Sequence, residues 1–310
     1  MQLKKYFWPA IGFGAVFFSA WLLYHELRGL SLDELWDSIV AISAPNWLLC
    51  IGATLLAYAA LAGYDHLALL HLKKRIDWFY ITVTSFTTYA LSHNIGASVL
   101  SGSLVRYRAY SAKGLSAAEV GVLVGFCSFT FALGITLLAG LVLVLVPELS
   151  ERFVDELPME ASAATGVLLL GAVLLYVIGS ALKLRPLRIG KLEIAYPGLP
   201  IVGRQLLIGP LEIIGAAAII YFALPAAGNP GFLVVLGIFV ISFSLALLSH
   251  APGGLGVLEI AFITGLSEMD RADVLAALLV FRLLYLIIPF IIALLVVLGF
   301  ERSQLASNRA

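Results

Sequence analysis

Ser249-His250-Ala251-Pro252-Gly253-Gly254-Leu255-Gly256-Val257-Leu258-Glu259 interrupts two strongly apolar stretches with a proline, three glycines and a carboxylate. A continuous helix cannot run through it. Pro252 removes a backbone donor and clashes with the preceding turn, and Gly253, Gly254 and Gly256 each add helix-breaking freedom. The N–H and C=O groups released this way lie at or near membrane depth, where lipid offers them no partner. Such a break is tolerated where protein or a water-filled cavity surrounds it, so the stretch reads as the lining of a polar site inside a membrane bundle. Its plain alternative is a loop that joins two transmembrane helices at the interface.

The apolar flanks extend through most of the chain. Of 310 residues, 61% are hydrophobic and only 12% charged, with a mean hydropathy of +1.02. Those shares lie well outside the range of soluble domains and identify a polytopic membrane protein. The formal net charge is zero, so no global basic footprint points to nucleic acid. Cys50 and Cys127 sit in apolar runs with no Cys or His partner at ligand spacing, and read as small hydrophobes. No metal or other cofactor is expected. No cleavable signal peptide is expected either, because Phe7 to Tyr24 lacks a small-residue cleavage site and further apolar segments follow it.

Loop charges orient the segments. Lys4 and Lys5 precede the first span; Ser31-Leu32-Asp33-Glu34 opens a short amphipathic helix that Pro45 stops; Asn46 to Leu70 is the second span, followed by the basic loop His71 to Arg75. That loop and the N-terminus are expected in the cytoplasm. Tyr80 to Leu100 is apolar but carries Thr82, Thr84, Ser85, Thr87, Thr88, Ser92, His93 and Asn94, then breaks at Gly96 and Gly102 before Arg106, Arg108 and Lys113. A full crossing would leave those cations outside, so a re-entrant hairpin is expected. Val120 to Val146 leads to an acidic outer loop around Glu148 and Glu151, and Thr165 to Leu182 returns to the densest basic loop, Lys183 to Arg204. Gln205 to Leu224, Gly231 to Leu248 and Ala272 to Phe300 are further spans; Val257 to Leu266 either completes a crossing or is re-entrant. The expected fold is an all-α polytopic membrane protein, a single domain over 1–310, with about seven or eight spans plus re-entrant or broken helices.

Leu91-Ser92-His93-Asn94-Ile95-Gly96 and Leu248-Ser249-His250-Ala251-Pro252-Gly253 share Leu-Ser-His, two residues, Gly, one in each half of the chain. Paired interruptions in corresponding halves are the sequence pointer to a transporter site in an inverted repeat.

These residues also carry a resemblance. His93-Asn94-Ile95-Gly96, Ser101 to Ser111 and Gly114-Leu115-Ser116, then Ser249 to Glu259, then Arg282-Leu283-Leu284-Tyr285 with Pro289, resemble in order the transmembrane region of lysylphosphatidylglycerol synthases, the multiple peptide resistance factor family. The resemblance implies a membrane part that acts as a flippase for aminoacylated phosphatidylglycerol, with aminoacyl transfer residing in further helices and a soluble domain. The chain stops at Ala310, so it is expected to be a stand-alone, non-enzymatic member whose cargo need not be the same lipid.

A flippase must carry a charged headgroup through a region where a buried charge costs about 2.5 to 3.5 kcal/mol on insertion scales. Arg106 and Arg108 offer forked donors to a lipid phosphate, with freed N–H groups around Gly96 and Gly253 to Gly256 as additional anion donors and Gly102 and Pro252 counted among the headgroup-site residues; orienting the hairpin by charge is the arginines' alternative role. Glu259 and Glu212 are candidates to face a cationic group or to pair with Arg282, and His93 and His250 are candidates for proton coupling or for plain structural hydrogen bonds. Asp65 and His66 are expected to snorkel to the interface. The partners expected are membrane phospholipids and no nucleic acid, with a homo-oligomer and a lipid-modifying enzyme partner left open. A non-transporting scaffold for such an enzyme is the alternative function. The expected location is the bacterial inner membrane.

Overall fold

The computed structural model describes residues 32–95, 98–153, 159–183, 187–189, 192–194, 196–249 and 254–307. Helix α1 is Leu32–Ala41, α2 Ala44–His71, α3 Trp78–Ile95, α4 Ser98–Ser111 and α5 Ala117–Leu145. A 3-10 turn, Pro147–Arg152, precedes α6, Met159–Ala181. Then come α7 Leu199–Ala223, α8 Phe232–Ser249, α9 Val257–Gly265 and α10 Arg271–Phe281, which runs through a π turn, Arg282–Ile287, into α11, Ile288–Ser307. The protein is an all-α polytopic membrane protein. Within the basic loop, one short antiparallel hairpin pairs Leu187–Ile189 with Leu192–Ile194. The expected first span, Phe7 to Tyr24, lies outside the described residues.

Among the described residues, five helices are long and apolar enough to cross a membrane: Ala44–His71, Ala117–Leu145, Ala161–Ala181, Leu199–Ala223 and Arg271–Gly299. Local chemistry starts them where the sequence changes. Ser43 accepts a bond from the Asn46 N–H ahead of α2, Ser116 and Glu119 form a reciprocal capping box on α5, and Asp270 caps α10. Lipid tails offer no hydrophobic drive for helix pairing, so close approach of small residues does the packing. Antiparallel α2 and α7 meet where Gly215 lies against Ala53 and Ala57, and α5 crosses α7 backbone to backbone at Gly134 and Gly209.

The two broken regions are antiparallel hairpins. In the first, the Tyr80 hydroxyl at the start of α3 donates to the Ala109 carbonyl near the end of α4, at 2.7 Å, and Gly102 packs on Ser92 near the tip. In the second, Gly265 at the end of α9 lies against Ile238 early in α8, while Gly254 lies against Ala246 late in α8. So Gly231 to Leu248, expected as a crossing, is one arm of a hairpin. Val257 to Leu266 is the other, and its helix α9, of nine residues, is only about 14 Å long at 1.5 Å per residue.

The hairpins enter from opposite faces. The open end of the first lies by the Lys74–Glu119 ion pair, 2.8 Å, and Lys113, whose ammonium sits 4.6 Å from the Tyr80 ring. The open end of the second lies by the 3-10 turn, where Arg152 donates to the Gly265 carbonyl at 2.7 Å and pairs with Glu268. Each hairpin follows a long helix, α2 or α7, and precedes another, α5 or α10–α11. That is the inverted arrangement anticipated from the two Leu-Ser-His breaks.

Candidate functional site at the hairpin tips

The last crossing is the place where both hairpins arrive, and its irregularity follows from one residue. Pro289 has no N–H to give the Tyr285 carbonyl one turn earlier, and its ring crowds that turn, so the helix widens into the π turn Arg282–Ile287. Neighbouring helices supply donors to its carbonyls. The Tyr58 hydroxyl of α2 donates to the Tyr285 carbonyl at 2.9 Å, and the Asn94 amide at the first tip donates to the Leu286 carbonyl at 3.1 Å. Single π turns of this kind recur at functional positions.

Arg282 opens the π turn and is held by the second hairpin. Its Nε and Nη2 donate to Oε1 of Glu259 at 2.8 and 2.5 Å. The other carboxylate oxygen accepts the Gly256 N–H at 2.8 Å. Glu259 therefore caps α9 and neutralises Arg282 together. Gly256 holds φ at +79°, a conformation that L side chains disfavour. The expected Glu259–Arg282 pairing is present, with Glu259 6% and Arg282 9% exposed. Gly254 is buried, with φ at +64°, and a Cβ there would strike Leu258 and crowd Ala246 at 3.1 Å; its place in the structure is a packing contact. Gly96, His250, Pro252 and Gly253 lie outside the described residues.

At the first tip, His93 stacks on Tyr285 with ring centroids 5.4 Å apart. Its Nδ1 is buried and makes no hydrogen bond among the described residues. The Tyr285 hydroxyl in turn donates to Oε1 of Glu212 on α7. Glu212, a candidate partner for Arg282 by sequence, is thus bonded to a tyrosine one step along the same π turn. The residues brought together at mid-bundle are Gly256, Glu259, Arg282, Tyr285, His93 and Glu212.

Arg106 belongs to a second, separate cluster. Its Nη2 donates to Oδ1 of Asp65 at 2.7 Å and its Nε reaches both carboxylate oxygens at 3.2 and 3.3 Å. The Tyr110 hydroxyl donates to Oδ2 at 2.8 Å, and Cys127 Sγ lies 3.4 Å from Oδ1. The guanidinium also sits 4.7 Å above the Tyr89 ring. Asp65 is 0% exposed, so the expectation that it snorkels is corrected. A buried arginine needs a buried anion, and Asp65 supplies it from α2. Through Asp65 the cluster ties α4 to α2 and α5. Arg108, two residues beyond Arg106, is exposed. It borders an apolar groove of about 240 Å³ lined by Val83, Thr84, Thr87 and Leu91 of α3, Leu104 and Val105 of α4, and Val296 and Val297 of α11.

Sequence reasoning missed Asp65, Tyr58, Tyr285 and the groove as parts of these clusters. A carboxylate inside an apolar run was the available signal for Asp65. For Tyr285 it was Pro289 four residues later.

A family model described as the lysylphosphatidylglycerol synthase transmembrane region matches residues 10–293. The inner membrane protein YbhN of Escherichia coli is 30% identical over 293 residues, covering 93% of this chain and 90% of that protein. A Synechocystis protein, slr0712, is 29% identical over 251 residues, 81% of this chain and 78% of its own length. The phosphatidylglycerol lysyltransferase of Staphylococcus haemolyticus is 25% identical over 311 residues, 95% of this chain but only 34% of that enzyme.

Proposed function

Because this chain belongs to the family of the lysylphosphatidylglycerol synthase transmembrane region, we propose that it is a flippase-like transporter of the bacterial inner membrane, moving a phospholipid between leaflets without catalysing a reaction. The observation that carries the reading is the pair of inverted hairpins whose tips reach one π turn from opposite faces. Broken helices converging at mid-membrane are how membrane transporters build a site that either face can reach. The apolar groove beside the first hairpin supports a lipid cargo: an acyl chain fits against Val83, Leu91 and Val297, and Arg108 at its border suits a phosphate. The location draws on the inner membrane relative. The lysyltransferase relatives make phosphatidylglycerol and its aminoacylated forms the first cargoes to test. By the excess of Lys and Arg, the face bearing Lys74 and Lys113 is cytoplasmic and that bearing Glu151 is external.

The test is reconstitution into vesicles carrying one headgroup-labelled lipid at a time, with quenching from outside to count exchanged label. Accelerated exchange of at least one anionic phospholipid over protein-free vesicles is expected, with loss on Arg108→Glu. Exchange of no lipid by well-folded protein would overturn the reading in favour of a scaffold for a lipid-modifying enzyme.

A further inference from the structure

Three of the four buried carboxylate oxygens in the Asp65 and Glu259 pairs accept a donor from an arginine, and the fourth accepts a backbone N–H. Glu212 is different. It is 1% exposed, Oε1 takes the Tyr285 hydroxyl, and Oε2 is buried with no hydrogen-bond partner among the described residues. An ionised carboxylate in that position would be a buried charge with one neutral donor, a state so costly that such groups hold a proton instead.

Among the described residues no counter-ion meets Glu212: Arg204, on α7 itself, is exposed and lies about 12 Å back along the helix at 1.5 Å per residue. Helix α7 packs against α2, α5, α6, α8 and α10. From α2 the titratable groups are Cys50, whose thiol is spent on the Ile219 carbonyl of α7 itself, Tyr58, spent on the Tyr285 carbonyl, Tyr64, spent on the Gly209 carbonyl, Asp65, paired with Arg106, and towards the helix end His66, edge-on to the Trp78 ring, and His71, stacked on Phe126. From α5 come Cys127, on Asp65, and Glu119 in its first turn, paired with Lys74; from α6 Tyr176, spent on Gln205; and α8 has none in its sequence. Arg271 and Asp273 are in the first turn of α10, at its far end, and the π turn adds Tyr285 and the Glu259-bound Arg282.

We infer that Glu212 is a proton-binding site of the transport cycle, its occupancy read out by the first hairpin through Tyr285 and His93. This rests on the transporter reading above. The linkage is spatial: Tyr285 bonds Glu212 with its hydroxyl, stacks on His93 with its ring and accepts from Tyr58 with its carbonyl. The next residue's carbonyl holds Asn94. With Glu212 neutral, the tip of α3 closes on the π turn. When the O–H bond of the acid breaks, the proton passes to a water molecule, and the carboxylate left behind is stable only if water reaches Oε2, which requires the tip to lift. Proton loss and opening are thus one event, and a proton gradient has a means of biasing the cycle.

Two measurements on the full protein separate this inference from the transporter reading. Infrared difference spectra between acid and alkaline pH, in vesicles of phosphatidylglycerol and phosphatidylcholine, read the protonated carboxylic acid directly. A carbonyl band present at neutral pH is expected, lost on alkalinisation and absent in Glu212→Gln. Tyr285→Phe, which removes the hydroxyl and keeps the ring, should move that band and supplies the assignment if Glu212→Gln does not fold. In the second measurement, an imposed pH gradient should change lipid exchange several-fold in the wild type and not in Glu212→Gln. A neutral-pH spectrum identical in wild type, Glu212→Gln and Tyr285→Phe overturns the proton site, as does full gradient dependence in Glu212→Gln. Absence of lipid exchange in the wild type overturns the transporter reading, while the infrared arm still decides whether Glu212 carries a proton.

Discussion

Truncating Arg282 tests the centre of the molecule most directly. Arg282 gives two charge-assisted bonds to one oxygen of Glu259, and the other oxygen has only the Gly256 N–H. Arg282→Ala leaves a buried carboxylate with a single backbone donor, and breaking a buried pair from one side costs about 3–5 kcal/mol. At about 2–4 °C per kcal/mol for a chain of a few hundred residues, the melting temperature should fall by roughly 10 °C. Glu259→Gln alone takes the carboxylate charge from the guanidinium and should also lower the melting temperature. The double variant should recover most of the loss, because the glutamine carbonyl can still accept the Gly256 N–H and no charge is left unpaired. Thermal unfolding of the four detergent-solubilised proteins closes a double-mutant cycle. If Arg282→Ala melts within about 2 °C of wild type, or the double variant falls by the sum of the singles, the pair does not hold the second hairpin to the last crossing.

The other expectations are briefer. Asp65→Ala strands Arg106 and should destabilise by about 3–5 kcal/mol, whereas Asp65→Leu with Arg106→Met should recover much of that in the same melt. Gly134→Ala would place a Cβ 2.5 Å from the Gly209 backbone and should cost about 1–3 kcal/mol; Gly125→Ala, with nothing within 4 Å, should leave the melting temperature unchanged. Cysteines at Lys74 and Glu151 should label from opposite sides of the intact membrane with an impermeant maleimide, against a low background because Cys50 and Cys127 are both buried. Labelling of both from one side would contradict the inverted hairpins.

Composition and loop charge made the membrane class, the long crossings and the re-entrant first hairpin legible, because hydropathy and the Lys/Arg bias act locally along the chain. The paired Leu-Ser-His breaks coincide with the ends of α3 at Ile95 and α8 at Ser249 for a similar reason: proline and glycine disrupt a helix wherever they occur. Partnership was less legible. Glu259–Arg282 was accessible because Arg282 lies too deep to snorkel and had few candidate anions. Asp65 was misplaced because its nearness to the end of an apolar run says nothing about α4, which covers it with Arg106 and Tyr110. The fate of Gly231 to Leu248 was equally non-local. Eighteen apolar residues can cross a bilayer or fold back, and the return of α9 along α8 decides which.

The widened turn at Arg282–Ile287 also changes how force travels. An unbroken α-helix is a stiff rod: a displacement at one end reaches the other, since every turn is clamped to the next by its own hydrogen bonds. Here the clamp is loosened at mid-length, and two of the carbonyls there are taken by Tyr58 and Asn94 from other helices. Helix α10, which leads into the Glu259-held Arg282, and α11, which flanks the groove at Val296 and Val297, meet at this looser joint. Each half of the rod can therefore yield to the hairpin packed beside it without dragging the other half.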